Sequence, residues 1–200
     1  MKRRAVLQNL AVTAFGTCVK RYDWCEDAGG AGVIYDGAPG QCRPTQESIE
    51  GLHYREGAPE RTDLNLYGDE GTPVRISGRV VDSDCVTPVG GAVVEVWHAD
   101  PDGQYDDSDE MRYRGRITTS EDGAFEVTTL FPGLHLHGMQ YRARHWHIKV
   151  LVEGEERLTT QLYQAGDPYI ECDPFAYTSL VIPFPLIGSV VVGSFDIVLA

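Results

Sequence analysis

The feature that most constrains the fold is a series of short strand-like segments in the last two thirds of the chain. Each is rich in β-branched residues, and several alternate apolar with polar positions, as strands with one buried face do. Turns rich in Gly, Pro and Asp separate them, with no helical period between. The segments are residues 74–81, 90–98, 116–119, 124–129, 145–152, 159–163 and 189–199. The pattern predicts an all-β fold, an antiparallel β-sandwich, with a hairpin around Glu121-Asp122-Gly123.

The chain before the first strand has a different character. Residues 21–72 are rich in Gly, Pro, Asp and Glu without a sustained period, which predicts an irregular segment wrapping a β-sandwich domain at 73–200. In residues 1–20, Lys2-Arg3-Arg4 precede a mildly apolar stretch. That arrangement fits either an export signal or an N-terminal helix, and both readings stay open.

Length and charge exclude several kinds of protein. Two hundred residues suit one domain with its own core. A formal net charge of -13, spread along the chain, repels phosphate backbones, so we expect no nucleic-acid partner. No apolar run is long enough for a membrane span. An edge strand of the sandwich leaves a homodimer open.

The cysteine pattern gives an indication of the cellular compartment of the protein. They are scattered singly, without the paired spacing of a zinc or redox site, at Cys18, Cys25, Cys42, Cys85 and Cys172. One or two disulfides in an oxidising compartment would leave at least one cysteine over, whereas buried free thiols would suit a cytosolic protein. The pattern slightly favours a location outside the cytoplasm.

A candidate metal site lies where a strand begins at His145-Trp146-His147. Period-2 geometry places both imidazoles on one face, about 7 Å apart along the strand. The preceding loop adds His135 and His137, and the turn after strand 90–98 leads to Tyr105. A solvated histidine pair and a tyrosine that merely covers the sheet edge are the alternative readings. A third ligand from the loop would make the pair a metal site.

Residues 42–200 resemble the intradiol ring-cleavage dioxygenases, a family that includes protocatechuate and catechol dioxygenases. The resemblance rests on the order and spacing of many short motifs: Pro44-Thr45, Glu50-Gly51, 77–82, 94–105, Arg114-Gly115-Arg116, Asp122-Gly123, Pro132-Gly133, Gln140-Tyr141-Arg142, His145-x-His147, 159–163, Gly166-Asp167-Pro168 and 195–199. It implies an oxidoreductase of aromatic catabolism. The expected partners are a catechol-type substrate, cleaved between its two hydroxyl-bearing carbons, and O2.

The resemblance also implies one non-haem iron and its ligands. In the family, two tyrosines and two histidines hold Fe3+, and the equatorial tyrosine falls at Tyr105 and the histidines at His145 and His147. The arginine that stabilises negative charge on the bound substrate falls at Arg142. A glutamine near the site falls at Gln161 as a supporting contact.

One position departs from the family. Where the axial tyrosine is expected, the chain has His135, which we predict to be both fourth ligand and proton acceptor, since its ordinary pKa is near 6.5. Tyr141 is an alternative fourth ligand. One phenolate instead of two weakens the preference for Fe3+ and leaves Fe2+ or Cu2+ open. Arg144, where the family has a small residue, suggests an anionic group on the substrate.

Two other functions remain open at this point. The first keeps the fold and the metal and changes the chemistry, as in a copper or Fe(II) oxidase or oxygenase with a different substrate. The second is a non-catalytic, secreted β-sandwich that binds a ligand at a decayed site. The metal content and colour of the protein separate them, because phenolate bound to ferric iron absorbs visible light.

Overall fold

The computed structural model describes residues 33–38 and 41–200, so the predicted export signal or helix at 1–20 lies outside the described residues. Within them the chain is nearly all β, which confirms the predicted class. The strands are β1 (Pro73–Val81), β2 (Val93–Trp97), β3 (Arg114–Thr118), β4 (Ala124–Leu130), β5 (Leu136–His137), β6 (Gln140–Tyr141), β7 (His145–Val152), β8 (Glu155–Gln164), β9 (Val181–Ile182), β10 (Leu186–Ile187), β11 (Val190–Ser194) and β12 (Ile197–Val198), with short 3-10 helices at Ile170–Cys172 and Thr178–Leu180.

Two five-stranded sheets make up the sandwich. One has the order β10-β11-β1-β12, with β4 also paired to β1, and the other has the order β3-β2-β7-β8-β9. Most neighbours are antiparallel, as predicted, but β1 pairs in parallel with β11 and β12, and β8 with β9. The sheets are therefore mixed, because the C-terminal strands return to lie beside the first strand.

The predicted hairpin between β3 and β4 does not form. The turn itself is present, with the Gly123 amide donating to the Ser120 carbonyl at 2.8 Å and a φ of +77° at Gly123. However, β3 pairs with β2 and β4 pairs with β1, in different sheets. The hairpin prediction was wrong because turn residues specify a reversal of the chain and not the partner of each strand.

Strand β7 places its two faces in different surroundings. Trp146, Ile148 and Val150 are fully buried in the apolar core that both sheets share. The alternate residues His145, His147 and Lys149 therefore point to the opposite face, which we call the outer face. They too are buried, although they are polar. Something besides the second sheet must cover them.

The cover is the segment 46–54, which we call the strap. The Ser48 amide donates to the Thr159 carbonyl at 2.9 Å. The Thr160 hydroxyl donates to the Gln46 carbonyl at 2.7 Å, and the Gln161 amide group donates to the Ile49 carbonyl at 2.8 Å. The strap thus lies along β8 and closes the outer face. The division into a wrapping segment at 21–72 and a sandwich at 73–200 remains a prediction.

A disulfide joins Cys42, close to the strap, to Cys85 after β1. Cys172 is also disulfide-bonded. Disulfide formation, one of the two readings of the isolated cysteines, is therefore the one observed. Among the described residues, no helix has the length and apolar character needed to cross a membrane.

Candidate metal centre

Three side chains converge at the start of β7. The Tyr105 Oη lies 2.9 Å from His147 Nε2 and 3.3 Å from His145 Nε2, and the two Nε2 atoms are 3.2 Å apart. Ligand atoms bound to one metal ion at about 2 Å lie roughly 3 Å from each other. The phenol oxygen and two imidazole nitrogens are thus spaced as ligands of a single ion, and this donor set suits iron.

A tight turn after β2 carries Tyr105 to this point. The Asp100 carboxylate accepts the amides of Asp102 and Gln104 at 2.9 and 2.8 Å, and the Asp100 amide donates to the Gln104 carbonyl. Gly103 has a φ of +84°, and a Cβ there would lie 2.2 Å from the Leu134 carbonyl oxygen. Glycine is therefore required for the turn to pack against the loop before β5.

His145 has its tautomer set by the backbone. Its Nδ1 lies 2.6 Å from the Ala143 carbonyl, which only accepts, so Nδ1 carries the proton and Nε2 has a free lone pair. Burial lowers the pKa of His145 well below its ordinary value, and nearby Arg142 lowers it further. The ring is neutral at neutral pH, the form in which imidazole binds a metal.

His147 is held between rings and the strap. Trp97, its cross-strand neighbour, stacks on it with centroids 4.8 Å apart and planes inclined by 7°. On the strap, a Cβ added at Gly51 would lie 3.2 Å from His147 Cε1. Burial lowers the pKa of His147 well below its ordinary value, and His145 adds to the effect. His147 Nδ1 faces the Gln161 amide nitrogen at 3.3 Å.

Tyr105 is a phenol unless something stabilises its anion. Burial raises its pKa above the ordinary value, and the positive charges of Arg142 and Arg114 oppose that rise. Two guanidinium groups therefore lower the cost of a phenolate at this position. A metal cation would lower that cost further.

Arg142 is the centre of a buried hydrogen-bond network. Its Nε donates to the Asp173 carboxylate at 2.7 Å, and its Nη2 donates to Gln161 Oε1 at 2.8 Å and to the Tyr163 hydroxyl at 2.9 Å. Arg142 and Gln161 are thus in contact, next to the histidines. By contrast, Arg144 pairs with buried Asp167 at 3.0 Å. That carboxylate already balances Arg144, which weakens the expectation of an anionic substrate.

His135 lies beside Tyr105, and in the described part of the chain it makes no hydrogen bond or ring contact with His145 or His147. Its ring meets the Tyr105 ring edge-on at 4.9 Å, and its Nδ1 lies 3.0 Å from the Gly103 carbonyl. Among the described residues, His, Cys, Asp and Glu side chains form no group of three or more placed to hold a metal. Tyr141, the alternative fourth ligand, is partly exposed and packs against Tyr169 at 5.8 Å. The identity of a fourth ligand therefore stays a prediction.

Sequence reasoning missed two residues beside this centre. His53 stacks on Tyr105, and the buried Arg114 donates to the carbonyls of His53 and Asp106. Arg114 belonged to a motif of the resemblance but had no assigned role. His53 lies in a segment without periodicity, so its long-range contact left no signal in the sequence.

Comparison with known proteins gives a consistent result. Residues 49–191 match the protein-family model described as Dioxygenase. Chlorocatechol 1,2-dioxygenase from Rhodococcus opacus is 34% identical over 154 residues, which cover 64% of this chain and 60% of that protein. Catechol 1,2-dioxygenase from Acinetobacter baylyi is 33% identical over 170 residues, covering 72% of this chain and 53% of that protein. The chain thus spans about half to three fifths of these relatives.

Solved structures give the same picture. The dioxygenase domain of a dioxygenase and carbohydrate-binding protein fusion from Streptomyces sp. SirexAA-E superimposes with a TM-score of 0.71 and 34% identity, covering 78% of this chain and 97% of that one. The 3-chlorocatechol 1,2-dioxygenase from Rhodococcus opacus superimposes with a TM-score of 0.71 and 25% identity, covering 78% of this chain and 73% of that one. The β-sandwich fold is therefore shared.

Proposed function

The chain belongs to the intradiol ring-cleavage dioxygenase family, and from this we propose that it cleaves a catechol-type ring between its two hydroxyl-bearing carbons. Both atoms of O2 enter the product, and the ring opens to a chain with two carboxyl groups. The names of the relatives support catechols as the substrate class. The observation that carries the proposal is the convergence of the three donor atoms within 3.3 Å of one another.

Tyr105, His145 and His147 would hold one non-haem iron. Bound as Fe3+, the iron would supply a Lewis acid that withdraws electron density from a catechol. A single tyrosine among the converging donors keeps Fe2+ and Cu2+ as alternatives, because phenolate is the ligand that most favours the ferric state. Burial raises the pKa of Tyr105, and the charges of Arg142 and Arg114, which oppose that rise, support its phenolate form.

Arg142 is the residue we propose to stabilise negative charge on a bound substrate. Its guanidinium is buried, and fixed by Asp173 on one side and Gln161 on the other. Because both partners hold it in place, the group does not have to reorganise when charge develops beside it. Gln161 is itself held by the strap, because its side-chain amide donates to the Ile49 carbonyl at 2.8 Å.

His135 is the residue we propose as fourth ligand and as acceptor of a substrate proton. Its Nδ1 faces the Gly103 carbonyl at 3.0 Å, so in the neutral ring Nδ1 carries the proton. Nε2 then has the free lone pair that either role requires. The edge-on contact with Tyr105 supports a place at the rim of the centre.

Reconstitution with iron tests the proposal. The protein, loaded with Fe3+ under air, should show a visible phenolate-to-iron absorption band and consume O2 when catechol is added. A matched double variant, His145→Ala with His147→Ala, should lose the band, the bound iron and the O2 uptake. A colourless wild-type protein that binds no metal would instead indicate a binding module. Bound metal with no ring-opened product would indicate other chemistry on this fold.

A further inference from the structure

The strap is held at several points over the outer face. At its middle, Glu50 pairs with Lys149, whose Nζ also lies 3.0 Å from Glu156. Lys149 follows the two histidines on the same face of β7. Between the ends, Gly51 has a φ of +81° and passes directly over the His147 ring. The course of the strap is therefore set by the strand that carries the proposed ligands.

At its far end, one guanidinium joins the strap to the loop of Tyr105. Arg114 donates through Nη1 to the His53 carbonyl, and through Nη2 to the Asp106 carbonyl at 2.9 Å. Asp106 is the residue immediately after Tyr105. Arg114 is 2% exposed, and among the described residues no carboxylate forms a salt bridge with it. Two backbone carbonyls are thus its main partners.

With the strap and the Tyr105 loop joined in this way, the rings of His53 and Tyr105 stack on each other. The His53 ring lies parallel to the Tyr105 ring, with centroids 4.2 Å apart and planes inclined by 3°. His135 meets both rings edge-on, at 5.1 Å from His53 and 4.9 Å from Tyr105. One face and one edge of the tyrosine ring are thereby covered, which restricts movement of the side chain about χ1. Because Oη lies on the axis about which the ring rotates, χ1 sets the position of Oη, and the ring plane sets the direction of its lone pairs.

We infer that His53 is a positioning residue for Tyr105, held in place by Arg114. The inference rests on the proposed function, because it takes Tyr105 to be a metal ligand. Groups that orient a ligand without touching the metal typically change metal affinity by about 10- to 100-fold when they are removed. His53 acts through the face of its ring, so another planar ring at this position should keep most of the effect.

Replacement of His53 tests the inference. His53→Ala should lower iron affinity about tenfold and shift or broaden the phenolate-to-iron band. His53→Phe, which keeps a ring at this position, should stay close to wild type in both. His137→Ala, at an exposed position of β5, is the matched control and should change neither. Arg114→Lys, which keeps the charge and loses the two-carbonyl fork, should behave like His53→Ala.

The readouts separate this inference from the proposed function. If wild-type protein binds no iron and shows no band, the proposed function fails. If wild type shows the band while His53→Ala leaves affinity and band unchanged, the positioning role fails and the proposed function stands. If His53→Phe is as impaired as His53→Ala, stacking is not the basis of the effect, and the inference is overturned.

Discussion

A half-buried tyrosine, two buried histidines and two buried arginines lie close together in this protein. Burial lowers the pKa of both histidines and raises that of the tyrosine, so all three groups favour their neutral forms when no metal is bound. Neutral imidazoles are ready to bind a metal. The phenol must lose its proton to become a strong ligand, and the charges of Arg142 and Arg114 assist that loss.

His135 is the residue we propose in place of the family's second tyrosine, and replacing it tests whether it binds the metal. If His135 is a ligand, His135→Ala should lower iron affinity by at least about tenfold and change the visible spectrum. His135→Tyr should add a second phenolate and intensify the charge-transfer band. Bound iron measured by elemental analysis, together with absorbance, checks both variants. Unchanged metal content and spectrum in His135→Ala would show that His135 is not a ligand.

At the scale of single elements, the strap constrains the position of His147 through one glycine. Gly51 combines a φ of +81° with a close approach to His147. Gly57 has a φ of +86°, but a Cβ added there would meet no atom of the described residues within 4 Å. Alanine at either site carries the cost of a positive φ, on the order of 1 kcal/mol. Of the two replacements, only Gly51→Ala also presses on a proposed ligand.

We therefore predict that Gly51→Ala lowers iron affinity while Gly57→Ala does not, although both lose similar stability from the backbone. Urea unfolding measures the stability, and iron titration measures the affinity. Equal iron affinity in the two variants would mean that the strap does not constrain His147.

His98 links the two sheets and gives a prediction about pH. It follows β2, and its Nε2 lies 2.7 Å from the hydroxyl of Thr129 in β4. Burial lowers its pKa from 6.5 to about 4. Between these values the unfolded chain takes up a proton that the folded chain does not, so stability is lost as pH falls from 6.5 towards 4.

Between pH 6.5 and 4, His98 should lower the free energy of unfolding by at most about 1.4 kcal/mol per pH unit. Denaturant unfolding at several pH values should show a shallower slope in His98→Gln than in wild type, with both proteins in the same metal state. The exposed His137→Gln serves as control and should keep the wild-type slope. Identical slopes in all three proteins would exclude a neutral, buried His98 as a source of acid sensitivity.

The sequence predicts many of the strands and turns, but not how the strands pair. The strand His145–Val152 was predicted with the bounds it has, because its alternation is strong. The Asp122-Gly123 turn was predicted, yet the strands on either side joined different sheets, since pairing depends on distant residues. His53 could not be predicted, because its contact with Tyr105 depends on how the irregular strap folds back.

Across the molecule, the Cys42–Cys85 disulfide ties the chain before the sandwich to the loop after its first strand. The two cysteines are 43 residues apart in sequence. Closing a loop of that length restricts the unfolded chain by about 4 kcal/mol in the entropic model. Replacing both cysteines by serine should therefore lower the free energy of unfolding by roughly that amount.

Iron binding should survive in the Cys42→Ser, Cys85→Ser variant, because neither cysteine contacts the candidate centre. Urea unfolding and iron titration of the same preparation measure the two quantities. Loss of iron affinity in a variant that remains folded would show that the disulfide also supports the centre.

Tyr105, His145 and His147 are proposed to hold an iron that supports intradiol ring cleavage, and the reaction product reports on this directly. The measurement is mass analysis of the product formed from catechol by the iron-loaded protein under isotopically labelled O2. We predict an acyclic product with two carboxyl groups that carries both labelled oxygen atoms, and no such product from His145→Ala with His147→Ala. Unlabelled product, cleavage beside the two hydroxyl-bearing carbons, or no product from an iron-loaded wild-type protein would contradict the proposal.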